Sequence, residues 1–114
     1  MIKLPRGNTL DLSVMLYDAG GAPYALKEKD SAVFTVKLRD DMSENPIIQK
    51  YILPSECGEN GELLIHLDPR DTVSLETGYY LYDVAVLIGG RDFYTAVIAD
   101  TFRILPALGE PGVI

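Results

Sequence analysis

Between Asp68 and Val86 the chain reads DPRDTVSLETGYYLYDVAV, a run in which acids, hydroxyls and tyrosines stand close enough to act together. Carboxylates beside hydroxyls can supply acid, base and nucleophile, provided their pKa values are pushed apart or a base adjoins the nucleophile. The chain's single histidine, His66, is no such base, because in ELLIHLD it falls on the outward side of a strand with Glu62 and Asp68. The same residues describe a backbone corner. Asp68 is placed to cap a short helical turn near 69–75, with Pro69 as its first residue. Asp71 would be its third, where a carboxylate meets unpaired amide hydrogens. Gly78 then ends the turn in a left-handed conformation before a long strand. Asp68, Asp71, Thr72, Gly78, Tyr80 and Tyr82 are therefore expected to form a structural corner rather than a catalytic group.

Other chemistries have less to stand on. Cys57 is the only cysteine, so it has no intrachain partner, and in PSECGENG it reads as a free loop thiol with no activating neighbour. One histidine cannot make a two-His metal site, and the carboxylates do not follow calcium-loop spacing. Asp40, Asp41 and Glu44, in a loop closed by Asn45 and Pro46, come nearest to a cation site and read as a solvated turn. The glycines of GENG and GG lack phosphate-loop spacing, and RGN at Arg6 to Asn8 is turn chemistry. The expectation is a protein that is not an enzyme, with no cofactor and no metal.

The elements that must carry these residues repeat with a period of two. In TLDLSVMLY, Leu10, Leu12, Val14 and Leu16 alternate with Thr9, Asp11, Ser13 and Met15. AVFTVKLR turns Ala32, Phe34, Val36 and Leu38 inward, and ELLIHLD does so with Leu63, Ile65 and Leu67. IIQKYIL, from Ile47 to Leu53, alternates less cleanly. YYLYDVAVLI, from Tyr79 to Ile88, is a long strand, followed by a turn at Gly89 and Gly90 and then by DFYTAVIA and TFRIL. About seven strands with turn signals between them and no long helix predict an all-β fold, an antiparallel two-sheet β-sandwich or else a partly closed barrel. A single domain over 1–105 is expected, with 106–114 as an extended tail rich in Pro and Gly.

Seventeen acids against ten Lys and Arg leave a net charge of −7, which disfavours a nucleic-acid partner. No apolar run is long enough to span a membrane, and MIKLPRGNTLDL has no signal-peptide core, so a cytoplasmic origin is expected. One feature exceeds a solvated fold. The outward set of the long strand is Tyr79, Leu81, Asp83, Ala85 and Leu87, and ELLIHLD turns Leu64 outward. Leu64, Tyr79, Leu81 and Leu87 are thus candidate partner-binding residues, unless the 40–50 loop or the tail from Pro106 covers them. A carbohydrate-binding surface built on Tyr17, Tyr24, Tyr51 and Tyr94 is the alternative.

The segment Glu76-Thr77-Gly78-Tyr79-Tyr80-Leu81-Tyr82 resembles the immunoglobulin-type signature around the start of strand F, with Tyr82 where the cysteine would stand. That resemblance implies a buried Tyr80 ring whose hydroxyl bonds back to the backbone near the preceding corner. It also puts Tyr82, Val84, Val86 and Ile88 on the same inner face. More broadly, RGNTLDLSVMLYDAGGAPYAL, AVFTVKLR, GELLIHLDPRDTVSLETGYYLYDVAV and FYTAVIADTFRIL resemble small structural proteins of tailed phages and prophages. The likeness is nearest to the N-terminal domain of baseplate upper proteins. It runs through Arg6 to Thr9, Asp18, Gly21, Pro23 and Leu26, then Asp68, Asp71, Thr72, Leu75, Gly78, Tyr80, Tyr82 and Asp83, with Asn8 in place of the more usual Asp. It implies an immunoglobulin-like module for assembly into a tail, baseplate or fibre. Its partners would be other virion subunits or further copies of itself, its final place would be the virion, and it carries over no catalytic residue.

Overall fold

The computed structural model describes residues 1–40 and 45–109. Strands dominate: β1 (Ile2–Pro5), β2 (Leu10–Met15), β3 (Ser31–Leu38), β4 (Ile48–Ile52), β5 (Glu62–Leu67), β6 (Gly78–Ile88) and β7 (Asp92–Leu105). A single helical turn, α1 (Pro69–Thr72), lies between β5 and β6, and a 3-10 turn covers Pro54–Glu56. Five strands form one sheet in the order β1-β7-β6-β3-β4, and β2 pairs with β5 in a second. DFYTAVIA and TFRIL are one continuous strand rather than two.

The larger sheet is mixed, which corrects the expectation of wholly antiparallel pairing. β1 runs parallel to β7, from Ile2 opposite Phe102 to Pro5 opposite Leu105. Alternation reports which face a residue takes and is blind to strand direction, so nothing in the sequence pattern could separate the two pairings. The remaining ladders are antiparallel.

A single core cluster draws on both sheets. Leu63, Ile65 and Leu67 of β5 join Phe34 and Val36 of β3, Tyr80, Val84 and Val86 of β6, and Phe102 and Ile104 of β7. Phe34, Tyr82 and Phe102 meet with ring centroids 5.8–6.4 Å apart, within the range of favourable tilted and edge contacts. Full burial of rings such as Phe34 and Phe102 contributes about 1.5–3 kcal/mol each. The inward set of β2 is less deep than that of its partner β5: Leu10, Leu12 and Val14 are half-buried, and Leu16, just past the strand, is buried. Leu38 departs from its expected inward place and is exposed. It is the last residue of β3, beyond the end of the β4 ladder at Val36 and Ile48, so one flank is bare.

β6 and β7 form a long hairpin. Gly89 and Gly90 take φ of 62° and 71°, the pair of left-handed residues that a two-residue type I′ turn requires, and Arg91 N–H donates to the Ile88 carbonyl at 3.1 Å. The register shifts between Tyr82 and Val84 and again between Val84 and Ala85, so β7 carries more residues than β6 over the middle of the hairpin. Of the expected tail, Pro106 to Gly109 has no helix or strand, and the rest lies outside the described residues. So do Asp41 and Glu44 of the acidic loop.

Candidate interaction site

The corner between β5 and β6 is built from hydrogen bonds. Asp71, third residue of α1, accepts the Asp68 N–H at 2.7 Å, which satisfies an amide at the start of the turn. Lys50 of β4 pairs with the same carboxylate at 3.0 Å. Thr72 is fully buried, and its Oγ1 accepts the Gly7 N–H at 2.8 Å, tying the corner to the turn between β1 and β2. Tyr80 is buried in the core, and its hydroxyl donates to the Glu76 carbonyl at 2.7 Å. Burial, with the nearby Glu76 charge, pushes the Tyr80 phenol above its ordinary value. The helical turn ends at Thr72, short of residue 75. Gly78 is the first residue of β6 with φ of 146°, a glycine-favouring conformation but not a left-handed helical one, so it opens the strand and does not end the helix.

His66 lies exposed on the outer side of β5, between two carboxylates. Its Nδ1 is 2.6 Å from Asp11 Oδ1, directly across the ladder on β2, and its Nε2 is 2.9 Å from Asp68 Oδ1. Hydrogen bonds from Asp11 and then Asp68 raise its pKa above the ordinary 6.5. Both ring nitrogens are engaged, and the nearest ladder hydroxyl, Ser13, donates instead to Glu62 at 2.8 Å. The arrangement favours the protonated ring over the neutral one.

Asp30 was not singled out by its sequence context. Among the described residues it is one of two buried polar or charged ones, 5% exposed, and gathers three donors: the Tyr24 hydroxyl at 2.7 Å, the Lys27 N–H at 2.9 Å and the Gly89 N–H at 2.7 Å. Burial alone would push its carboxyl up, but the hydrogen bonds from Tyr24, Gly89 and Lys27 together outweigh it and hold the pKa below 3.8. The same contact raises the Tyr24 phenol to about 12. The carboxylate fastens the loop before β3 to the β6–β7 turn. An Asp immediately before a strand was the sole sequence signal, and a capping or turn role accounts for it equally well.

The outer face of the five-stranded sheet carries a trough among the described residues. Directly opposed residues share a face, which gives a row of Tyr51, Val33, Ala85 and Thr95, with rows of Gln49, Thr35 and Asp83 and of Ser31, Leu87 and Phe93 on either side. These residues, Thr95 apart, line a shallow trough of about 460 Å³. Burial raises the Asp83 carboxyl above its usual range, with the Lys37 charge opposing the shift. At the far end of the face, the Tyr79 ring lies between the guanidinium groups of Arg39 and Arg103, at 5.3 and 5.1 Å.

The candidate partner residues are not brought together. Tyr79, Leu81 and Leu87 share the outer face of β6, whereas Leu64 is exposed on β5, whose Leu63 and Ile65 enter the core from the other side. Ala85, expected outward, is buried beneath the trough. The four tyrosines of the carbohydrate alternative are also dispersed. Tyr51 borders the trough, Tyr24 is tied to Asp30, Tyr17 bridges to Pro23, and Tyr94 sits opposite Val86 on the reverse face of the hairpin.

Among the described residues no group of three or more His, Cys, Asp or Glu is placed to hold a metal ion, and no helix is long and apolar enough to cross a membrane. Comparison of the chain with protein-family models, with curated proteins and with solved structures found no match.

Proposed function

We propose that this chain is a non-enzymatic, immunoglobulin-like β-sandwich module that joins other subunits of a tailed-phage or prophage particle. The sandwich reading draws support from strand order. β7, β6, β3 and β4 correspond to strands G, F, C and C′ of a variable-type domain, β2 and β5 correspond to B and E, and β1 adds a parallel edge beside β7. The Tyr80 to Glu76 bond sits where that fold places its tyrosine corner.

The observation that carries the functional reading is the outer sheet face with Tyr51, Val33, Leu87 and Phe93, of which Tyr51 and Phe93 are more than half exposed. An aromatic and aliphatic face of this kind is an association surface. Within the stretch richest in chemistry, the Asp71, Thr72 and Tyr80 side chains are meanwhile engaged in backbone contacts. Mass spectrometry of purified particles, together with a pull-down on neighbouring tail proteins, tests the proposal. The chain is expected in the particle, in stoichiometric amount with a tail or baseplate subunit. Particles that assemble without it would remove the reading.

The glycan reading is favoured by one observation, the same trough, in which Tyr51 and Phe93 rim a floor carrying Gln49, Thr35 and Asp83. Binding on a glycan array that is lost in Tyr51→Ala would select it over assembly.

A further inference from the structure

We propose that the free edge of β7, from Asp92 to Thr101, pairs antiparallel with the same edge of a second copy of this chain, joining two five-stranded sheets into one. The inference rests on the assembly reading and names one partner for it.

β1 accompanies β7 only from Phe102 to Leu105. From Asp92 to Thr101, β7 has β6 on one side and, among the described residues, no strand on the other. Such an edge presents an unpaired row of backbone donors and acceptors, a template for another strand. The opposite edge of the sheet is protected in the usual way: β4 is five residues long and carries Gln49 and Lys50. The β7 edge has no charge or proline from Phe93 to Ala99, which reads FYTAVIA and is rich in β-formers, so only the register shifts against β6 interrupt it.

Two features point to a second copy as the occupant. Side chains on both faces of this strand are bare: Phe93 is 65% exposed on one face, Tyr94 60% on the other, and Ile98 80%. An incoming strand must therefore be apolar on both faces, as this segment itself is. The chain carries −7, so two copies repel over most of their surface, and this uncharged window is where they can approach. A two-fold contact of this kind closes at two copies and does not propagate into a fibre.

Sedimentation equilibrium over a range of concentrations, on the full chain, tests the pairing. The wild-type chain is expected as a reversible dimer. The double variant Tyr94→Lys and Ile98→Lys, which alters exposed side chains, should be monomeric with unchanged thermal unfolding. In a Cys57→Ser background, Ala96→Cys should oxidise to a disulfide-linked dimer, whereas Leu64→Cys, on the other side of the molecule, should not. A chain monomeric at every concentration overturns the pairing, as does a dimer that survives both lysines or that cross-links through Leu64→Cys. A monomer still incorporated into particles would reject the self-pairing and leave the assembly reading standing. A dimer never found in particles would do the reverse.

Discussion

The Tyr80 hydroxyl donates to the carbonyl of Glu76 at 2.7 Å, four residues back along the chain, so a residue of the core strand β6 holds the corner that delivers the chain to it. Tyr80→Phe keeps the ring and removes this bond. The expected cost is about 0.5–1.5 kcal/mol in urea unfolding, with the slope of the transition unchanged. An equal loss for Tyr79→Phe, whose ring lies on the outer face, would show that the hydroxyl bond is not the cause.

Thr72 reaches across the fold to the Gly7 N–H, and both groups are buried. Thr72→Val preserves shape but strands that amide, for about 1–3 kcal/mol of destabilisation. Thr72→Ser should recover most of the loss, because its hydroxyl can still accept. Denaturant midpoints of the two variants separate hydrogen bonding from packing.

Asp30 gives the protein an acid limit. Its carboxyl lies below 3.8 when folded, so the unfolded chain binds the proton first as pH falls. The stabilisation is complete above that value and is lost as pH drops through the lower folded value. Tyr24 acts at the alkaline end: with its phenol raised to about 12, its contribution holds below 10 and fades as pH rises through the folded value. Asp30→Asn should destabilise the neutral protein by about 2–3 kcal/mol, since charged acceptors make the stronger bonds. It should also flatten stability measured from neutral pH down to acid and return Tyr24 towards 10 in an ultraviolet titration.

His66 responds in the neutral range. Its raised pKa means that stabilisation from Asp11 and Asp68 is complete below 6.5 and is lost as pH rises through the folded value. Nuclear magnetic resonance of the imidazole should report a pKa above 6.5 in the wild type. Asp11→Asn should move it down more than Glu62→Gln does, because Asp11 touches the ring and Glu62 pairs with Ser13.

Gly61 stands where a side chain cannot. Its φ is 84°, and a Cβ there would lie 2.9 Å from the Tyr24 carbonyl and 3.0 Å from that of Leu16. Both obstacles are backbone, which has little room to give. Gly61→Ala is expected to cost about 1–3 kcal/mol, more than Gly58→Ala, as read by thermal unfolding.

The strands were legible because burial imposes a two-residue period that survives without tertiary knowledge. Ala32, Phe34 and Val36 are buried as their alternation requires, and so are Leu63, Ile65 and Leu67. The paired glycines after Ile88 likewise announce a turn whose conformation only glycine adopts freely. What the pattern could not contain was pairing. The direction of β1 beside β7, the exposure of Leu38 where the β4 ladder stops, and the separation of Leu64 from Tyr79, Leu81 and Leu87 all depend on which strands become neighbours.

The same division runs through the candidate sites. Local chemistry, such as Asp71 over the Asp68 amide, is written within a few residues and can be read from them. Asp30 with Gly89, Asp11 with His66, and the bare edge of β7 each join segments far apart in the chain. Sequence by itself determined which residues turn inward and where the backbone bends, because sterics and hydrophobic burial act locally. Tertiary structure alone decided which carboxylate met which donor and which strand kept an open flank, because those follow from long-range contacts that no local period encodes.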